Sequence, residues 1–260
     1  MANFLNIEKF NSSGVGTNFK DFTLPRSLAF DSTGNLYAID EYNYSIWKLN
    51  SSGTTLNVFG ARPGGPFALA FDSTGNLLVA NRDNTIEKFN SSGTDLGVFA
   101  SSGLDVPIGL AFDSAGNLYT ANRGNNTIEK FNSLGMDLGV FGSSGLNQPE
   151  GLAFDSAGNL YVSNSGNNTI VKFNSSGVGV VFTTSNVVDP TALALDSTGN
   201  LYVEMHGYAI EKYDSSGVGT VFTTNMDGYG LAFQPVPEPS TGVLLVGSLI
   251  ALFSVKRRRA

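Results

Sequence analysis

The sequence predicts an all-β protein with the architecture of a six-bladed β-propeller, and two internal repeats carry this prediction. The phrase LAFDSTGNLY at residues 28–37 returns four times with small changes. Its aspartates lie 41, 41, 42 and 41 residues apart, at Asp31, Asp72, Asp113, Asp155 and Asp196. A second phrase, IEKFNSSG at residues 7–14, occurs in six copies. Self-similarity at a period of about forty residues is typical of propeller blades.

Each repeat contains four short runs that we interpret as strands. In the third repeat these runs are IGLAF, NLYTA, TIEKF and DLGVF, which are rich in β-branched and aromatic residues. The segments DSAGN, NRGNN and NSLG separate them. Such segments suit tight turns because Asp and Asn bond their own backbone and Gly accepts positive φ. Four antiparallel strands in a unit of this length predict one blade, so six copies predict six blades.

The two ends of the chain are predicted to complete one blade together. Residues 3–10 and 15–19 supply its third and fourth strands, and GYGLAFQP at residues 228–235 supplies its first strand. Joining them would remove the open edges of the ring. No second strand is evident for this blade, so we expect the sequence to begin late, after an upstream strand of that kind. The propeller domain is therefore assigned to residues 1–235.

Composition restricts the classes of partner. The chain has 15 basic and 22 acidic side chains, which give a formal net charge of -7. Nucleic acid requires a cationic surface, so we expect no nucleic-acid partner. The chain contains no cysteine, and MANFLNIEKF at its start does not match a signal peptide.

The repeat consensus, PxGLAFDSxGNLYVxNxxNNTIEKFNSSG, resembles the NHL-type propeller repeat. The resemblance covers essentially all of residues 1–235. It implies the propeller fold but leaves the function open, because such propellers include scaffolds, glycan and protein binders, and hydrolases.

Residues 236–260 form a separate tail with three parts. VPEPSTG at residues 236–242 precedes an apolar run of 13 residues, 243–255, which basic residues follow. The run is shorter than the roughly 20 residues that span a bilayer, so we predict a short apolar helix in transient contact with the inner membrane. The arginines would stay on the cytoplasmic side, which places the propeller outside that membrane.

The tail resembles the PEP-CTERM sorting signal of exported bacterial proteins. The residues that match its two ends are Val236, Pro237, Glu238, Pro239, Ser240, Arg257, Arg258 and Arg259. The resemblance implies recognition and cleavage by an exosortase-type membrane transpeptidase. It also implies delivery to the cell surface or to an extracellular exopolysaccharide matrix. A plain tail anchor is the alternative.

The repeats are similar to one another in the loops at one end of the predicted ring and differ in the loops at the other end. The FDSxGN turns are nearly uniform, and we interpret their aspartates as turn caps. The loops at the opposite end vary, and they predict a face that binds a polysaccharide or a protein. Its residues are Asp40, Tyr42, Tyr44, Phe67, Arg82, Arg123, Glu150, His206 and Tyr229. The positions predicted to line the channel mouth are Arg26, Phe67, Ile108, Glu150, Thr191 and Tyr229.

Catalysis is the alternative function. Propellers that look like calcium-dependent lactonases hold the cation with carboxylate and amide oxygens, and Asp40, Asn122, Glu150 and Asn164 are ligands of this kind. Their register puts them in two layers, so they do not converge. The single histidine, His206, lies in the least regular repeat, and no Gly-x-Ser-x-Gly motif offers a nucleophile. We therefore predict a non-enzymatic binding or scaffold module without a cofactor, with a secreted calcium-dependent lactonase-like hydrolase as the alternative.

Overall fold

A computed structural model describes residues 5–22, 24–60, 65–224, 230–233 and 252–257. Every regular element in these ranges is a β-strand, and the strands form four-stranded antiparallel sheets. The all-β class and the propeller architecture are therefore confirmed.

Five of the sheets are regular blades, each built from four consecutive strands. The chain first forms β1 (Leu5–Phe10) and β2 (Gly16–Phe22), which belong to a different sheet. Blade 1 then contains β3 (Pro25–Phe30), β4 (Leu36–Asp40), β5 (Ser45–Leu49) and β6 (Thr55–Gly60). Blade 2 contains β7 (Pro66–Phe71), β8 (Leu77–Asn81), β9 (Thr85–Phe89) and β10 (Asp95–Ala100). Blade 3 contains β11 (Pro107–Phe112), β12 (Leu118–Asn122), β13 (Thr127–Phe131) and β14 (Asp137–Gly142).

The last two regular blades follow the same order. Blade 4 contains β15 (Pro149–Phe154), β16 (Leu160–Asn164), β17 (Thr169–Phe173) and β18 (Gly179–Thr183). Blade 5 contains β19 (Pro190–Leu195), β20 (Leu201–Met205), β21 (Ala209–Tyr213) and β22 (Gly219–Thr224). The strands then remaining are β23 (Ala232–Phe233) and β24 (Leu252–Arg257).

The remaining strands form a sheet that we call the terminal sheet, in the order β2-β1-β24-β23. It joins the two ends of the chain, because β1 pairs with β24 and β24 pairs with β23. The prediction of six blades is nevertheless wrong. The chain forms five regular blades, and a sheet of a different kind, with a first strand of only two residues, completes the ring.

The predicted apolar helix is not present in the described part of the tail. Residues 252–255 belong to the predicted helical run, yet they lie in β24, where their backbone pairs with β1. The open edge of β1 supplies backbone partners that favour a strand over a helix. Residues 243–251 lie outside the described residues. Within the described ranges, no helix is long and apolar enough to cross a membrane.

The first strands of the sheets surround a central channel. β3, β7, β11, β15 and β19 each contact the next, and β23 contacts both β19 and β3. The hydrophobic core lies between adjacent blades rather than within one. Tyr119 of blade 3, for example, packs edge to face on Phe141 of the same blade and on Phe154 of blade 4, with both centroids 4.9 Å away.

The turns between first and second strands lie at one end of the channel, which we call the turn end. In blade 1 the Oδ1 of Asp31 accepts hydrogen bonds from the backbone N–H groups of Thr33 and Asn35, at 3.0 and 2.9 Å. Asp72, Asp113, Asp155 and Asp196 make equivalent bonds. The interpretation of these aspartates as turn caps is confirmed.

Candidate functional site

The candidate site lies at the opposite end of the channel, which we call the mouth end. A cavity of about 100 Å³ opens there. The second residue of each regular first strand contributes to its lining, as the register predicts: Arg26, Phe67, Ile108, Glu150 and Thr191. Tyr229, the sixth predicted position, lies outside the described residues.

One side of the mouth is a cluster of two arginines, one glutamate and one phenylalanine. Arg26 Nη1 donates to both carboxylate oxygens of Glu41 at 3.0 Å, and Arg82 Nη2 lies 3.6 Å from Glu41 Oε1. Both guanidinium groups also lie over the ring of Phe67, at 4.2 and 5.1 Å from its centroid. These contacts hold Arg26 in place, whereas the side chain of Arg82 stays 64% exposed.

The other side of the mouth is organised around Glu150. Ser165 Oγ donates to Glu150 Oε1 at 2.9 Å, and Arg123 Nη2 lies 3.6 Å from the same oxygen. Arg123 also donates to Gln148 Oε1 at 3.0 Å. Burial raises the pKa of the Glu150 carboxyl, and Arg123, Ser165 and Arg26 oppose that rise.

Sequence reasoning missed Ser165 and Gln148 in this cluster. The available signal was their position, since Gln148 precedes the proline that starts β15 and Ser165 follows the asparagine that ends β16. Residues at these two places face each other because Pro149 pairs with Asn164.

The last residues of the second strands hold neighbouring loops in place through hydrogen bonds. Asp40 is buried, and its carboxylate accepts bonds from the N–H groups of Tyr42 and Asn43 and from the Asn43 amide. Asn122 accepts a bond from the N–H of Asp105 and donates to the carbonyl of Gly103. Asp40, a predicted face residue, therefore shapes its hairpin from beneath.

Exposed tyrosines lie on two hairpins at the mouth end. Tyr42 and Tyr44 lie between β4 and β5 and are 70% and 49% exposed, and Tyr208 lies between β20 and β21 and is 59% exposed. The terminal sheet separates these two hairpins around the ring. His206 lies beside Tyr208, and its backbone N–H donates to the carbonyl of Asp189 at 3.1 Å.

Tyr44 is an unusual residue for its position in the hairpin. Tyr44 has a φ of 50°, a left-handed conformation that strains a large side chain. The equivalent residues of blades 2, 3 and 4 are Asn84, Asn126 and Asn168. Each of these asparagines accepts a hydrogen bond from the backbone of the next blade, at 2.7 to 2.8 Å. Blade 1 has a half-exposed tyrosine where blades 2, 3 and 4 have a structural asparagine.

The predicted calcium ligands do not fit one shared ion. The oxygens of Asp40 and Asn122 already accept hydrogen bonds from loop backbone, and Asn164 accepts one from Asn147. Glu150 is bonded to Ser165. Across the ranges that the structure describes, no three His, Asp or Glu side chains converge as a metal site requires.

Solved structures with the same fold have different functions. A chain of the nidogen–laminin complex gives a TM-score of 0.73 at 21% identity, covering 87% of this chain and 97% of that one. A gluconolactonase from Xanthomonas campestris gives 0.70 at 18% identity, with coverage of 91% and 87%. Virginiamycin B lyase from Staphylococcus aureus gives 0.67 at 16% identity, with coverage of 87% and 78%. These identities show the fold alone.

Two families match parts of the chain. The NHL repeat matches residues 146–173, and the PEP-CTERM protein-sorting motif matches residues 235–259. The comparison with curated proteins gives no match. The chain is therefore a β-propeller protein that contains an NHL repeat and carries the PEP-CTERM motif of exported proteins processed at the membrane.

Proposed function

We propose that this protein is an exported, non-enzymatic binding module of the cell surface or extracellular matrix, and that it holds a saccharide on the exposed tyrosines of its mouth end. Export is supported by the sorting motif at residues 235–259. An exosortase-type transpeptidase would recognise that motif, with residues 243–255 in transient contact with the inner membrane.

Tyr44 is the observation that carries the proposal. A tyrosine at this position forfeits the hydrogen bond that asparagine makes there in three other blades. It also strains the backbone. Local departures from the rules that stabilise a fold concentrate at functional sites. With tyrosine in place of asparagine, the hairpin presents a second exposed ring, that of Tyr44, in addition to the ring of Tyr42.

The chemistry of the mouth end suits a saccharide. Flat rings such as those of Tyr42 and Tyr208 present an apolar surface and a hydroxyl that donates and accepts hydrogen bonds. Arg82 and Arg123 keep partly exposed guanidinium groups at the same end of the channel, and they can donate to sugar hydroxyl or carboxylate oxygens. A few convergent polar groups among aromatic rings are typical of a small-ligand site.

A glycan array probed with the full chain tests this proposal. We expect binding to at least one saccharide, and we expect Tyr44→Asn to lose it while the protein remains folded. Leu134→Asn is the control, because Leu134 is also exposed to solvent but lies at the turn end. Retention of binding by Tyr44→Asn, or absence of any saccharide signal from the unaltered protein, would contradict the proposal.

A calcium-dependent hydrolase is the second candidate, and the likeness in fold to a gluconolactonase is its support. Calcium titration by calorimetry tests it directly, with Glu150→Gln as the variant that removes a carboxylate from the mouth. Binding heat that this variant abolishes would favour the hydrolase over the binding module.

A further inference from the structure

β24 occupies the place of a second strand in the terminal sheet, and its register is that of the regular blades. In blade 1 the first residue of the second strand, Leu36, pairs with the last residues of the first and third strands, Phe30 and Leu49. In the terminal sheet Leu252 pairs in the same way with Phe233 and Phe10. The alignment continues along β1, where every residue from Leu5 to Phe10 has a partner in β24.

The sequence of β24 also resembles a second strand. Regular second strands read LYAID, LLVAN, LYTAN, LYVSN and LYVEM, and β24 begins LFSV. Leucine holds the first position in all of them, a large apolar residue follows, and Phe253 takes the register position of Tyr37 and Tyr119. Phe253 pairs with Ala232, and the equivalent tyrosines likewise pair with an alanine, Ala29 and Ala111.

The terminal sheet depends on this strand. β23 is two residues long, and its hydrogen-bonded neighbour in the described sheet is β24. β1 pairs with β2 on one side and with β24 on the other. Removal of β24 would leave a gap one strand wide, in which the backbone groups of β1 lose their partners along that side.

We propose that the sorting tail is a removable strand of the propeller. Before the basic residues are fixed on the cytoplasmic side of the membrane, residues 252–257 alternate between the gap in the terminal sheet and the membrane-bound state in which the sorting motif is processed. The two states exclude each other, since a chain segment in the bilayer must bond its backbone within itself and cannot also pair with β1. The cleavage expected near Pro237 lies between β23 and β24, so processing leaves the ring permanently without this strand. The inference rests on the export part of the proposed function and is independent of the ligand.

A pair of introduced cysteines tests whether the tail occupies the gap. The chain has no cysteine of its own, so the double variant Glu8→Cys with Ser254→Cys contains a single possible pair. Glu8 and Ser254 are directly opposite in the register. The control is Glu8→Cys with Val255→Cys, since Val255 pairs with Ile7 and alternate residues point to opposite faces of a sheet.

We expect oxidation of the full chain in solution to give an intramolecular disulfide in the aligned pair, at a yield at least about fivefold above the control, because opposed residues meet the distance limits of a disulfide. Mass spectrometry of the digested monomer measures the yield. Equal yields, or disulfides found only between chains, would overturn the proposal that the tail fills the gap.

Membrane binding of the same variant tests the alternation. We expect the oxidised aligned pair to lose binding to vesicles of phosphatidylglycerol and phosphatidylethanolamine, and reduction to restore it. Equal binding before and after reduction would show that strand insertion does not compete with the membrane. Glycan binding by the oxidised protein reports separately on the mouth end, so failure of the two proposals can be distinguished.

Discussion

The two ends of the propeller differ in what their residues do. At the turn end, the same aspartate makes the same bonds to its own turn in every regular blade. At the mouth end, equivalent positions have diverged, so that Tyr44 stands where blades 2, 3 and 4 have asparagine. Positions that are the same in every repeat therefore hold residues that stabilise the blades. A position where one repeat departs from the stabilising residue is a candidate for binding.

The turn end also packs one blade on the next. Gly135 lies in the turn between β13 and β14 with a φ of 81°, and a Cβ there would collide with the backbone carbonyl of Phe99 in blade 2. Gly53 and Gly177 approach the carbonyls of Phe19 and Phe141 in the same manner. These glycines therefore serve contact between blades as well as the turn itself.

Among the variants considered, Gly135→Ala should lower stability the most, and it tests whether the turn end holds neighbouring blades together. We expect it to lower the free energy of unfolding by about 3 kcal/mol, because the left-handed φ and the clash with a backbone oxygen act together. Gly116→Ala is the control in the same blade, with the same φ of 81° but open space around a Cβ. We expect that control to cost about 1 kcal/mol. Denaturation in urea measures both, and equal costs would contradict the role in blade packing.

Asp72→Ala tests the turn caps. Burial pushes the pKa of Asp72 upward, but hydrogen bonds from Lys88, Thr74 and Asn76 outweigh it and hold the pKa well below its usual value. We expect a loss of about 2 kcal/mol at neutral pH from the missing bonds.

The free energy of unfolding, measured as a function of pH, tests this explanation. The folded pKa is depressed, so the stabilisation by the ionised carboxylate is present above the unfolded pKa of 3.8 and declines as the pH falls below it. Asp72→Asn keeps an acceptor for the backbone bonds, and its deficit relative to the unaltered protein should therefore shrink in acid. A deficit that is independent of pH would mean that the charge of Asp72 does not stabilise the turn.

Glu129 lies midway along β13, between the two ends of the channel. Its effect on stability should depend on pH in the direction opposite to that of Asp72. Burial and the neighbouring Asp137 raise its pKa from 4.5 to about 7. The folded protein binds the extra proton between these values, so stability falls as the pH rises through this window. Glu129→Gln stays neutral, and we expect it to be more stable than the unaltered protein by about 1 kcal/mol at roughly pH 8 but not at roughly pH 5. Thermal unfolding at the two pH values measures this, and a constant difference would contradict it.

Tyr44→Asn should give the smallest change in stability, and it tests whether the tyrosine at the mouth end is present for a reason other than stability. We expect it to raise the free energy of unfolding by about 0.5 to 1 kcal/mol, because asparagine tolerates the left-handed backbone and can accept a bond from the N–H of Gly65. Asn84→Tyr is the reverse change in blade 2, and we expect it to destabilise. Urea denaturation of both variants is the measurement, and a destabilised Tyr44→Asn would show that the tyrosine is structural.

Much of the fold could be predicted from the sequence because each strand and turn repeats a local pattern. The aspartate of LAFDSTGNLY bonds residues two and four positions on, so its role depends on short-range geometry alone. The strain at Tyr44 could not be predicted in this way, since its φ is visible only in the folded hairpin. The pairing of Ser165 with Glu150 likewise requires the register of two strands.

The tail shows where sequence reasoning failed and why. A short apolar run is compatible with a helix or with a buried strand, and periodicity cannot separate the two. The basic residues after position 255 favoured the membrane interpretation. The repeats indicate that a second strand is missing between β1 and β23, but no local pattern shows that residues 252–257 fill this gap as a strand.

The claim that the two ends of the chain close the ring underlies both the position of the mouth and the role of the tail. Amide hydrogen exchange of β1 in the full chain tests it most directly. We predict that the amides of β1 exchange as slowly as those of β5, its counterpart in blade 1, because both strands lie between two hydrogen-bonded neighbours. Exchange in β1 at the rate of exposed loops would contradict the closed ring.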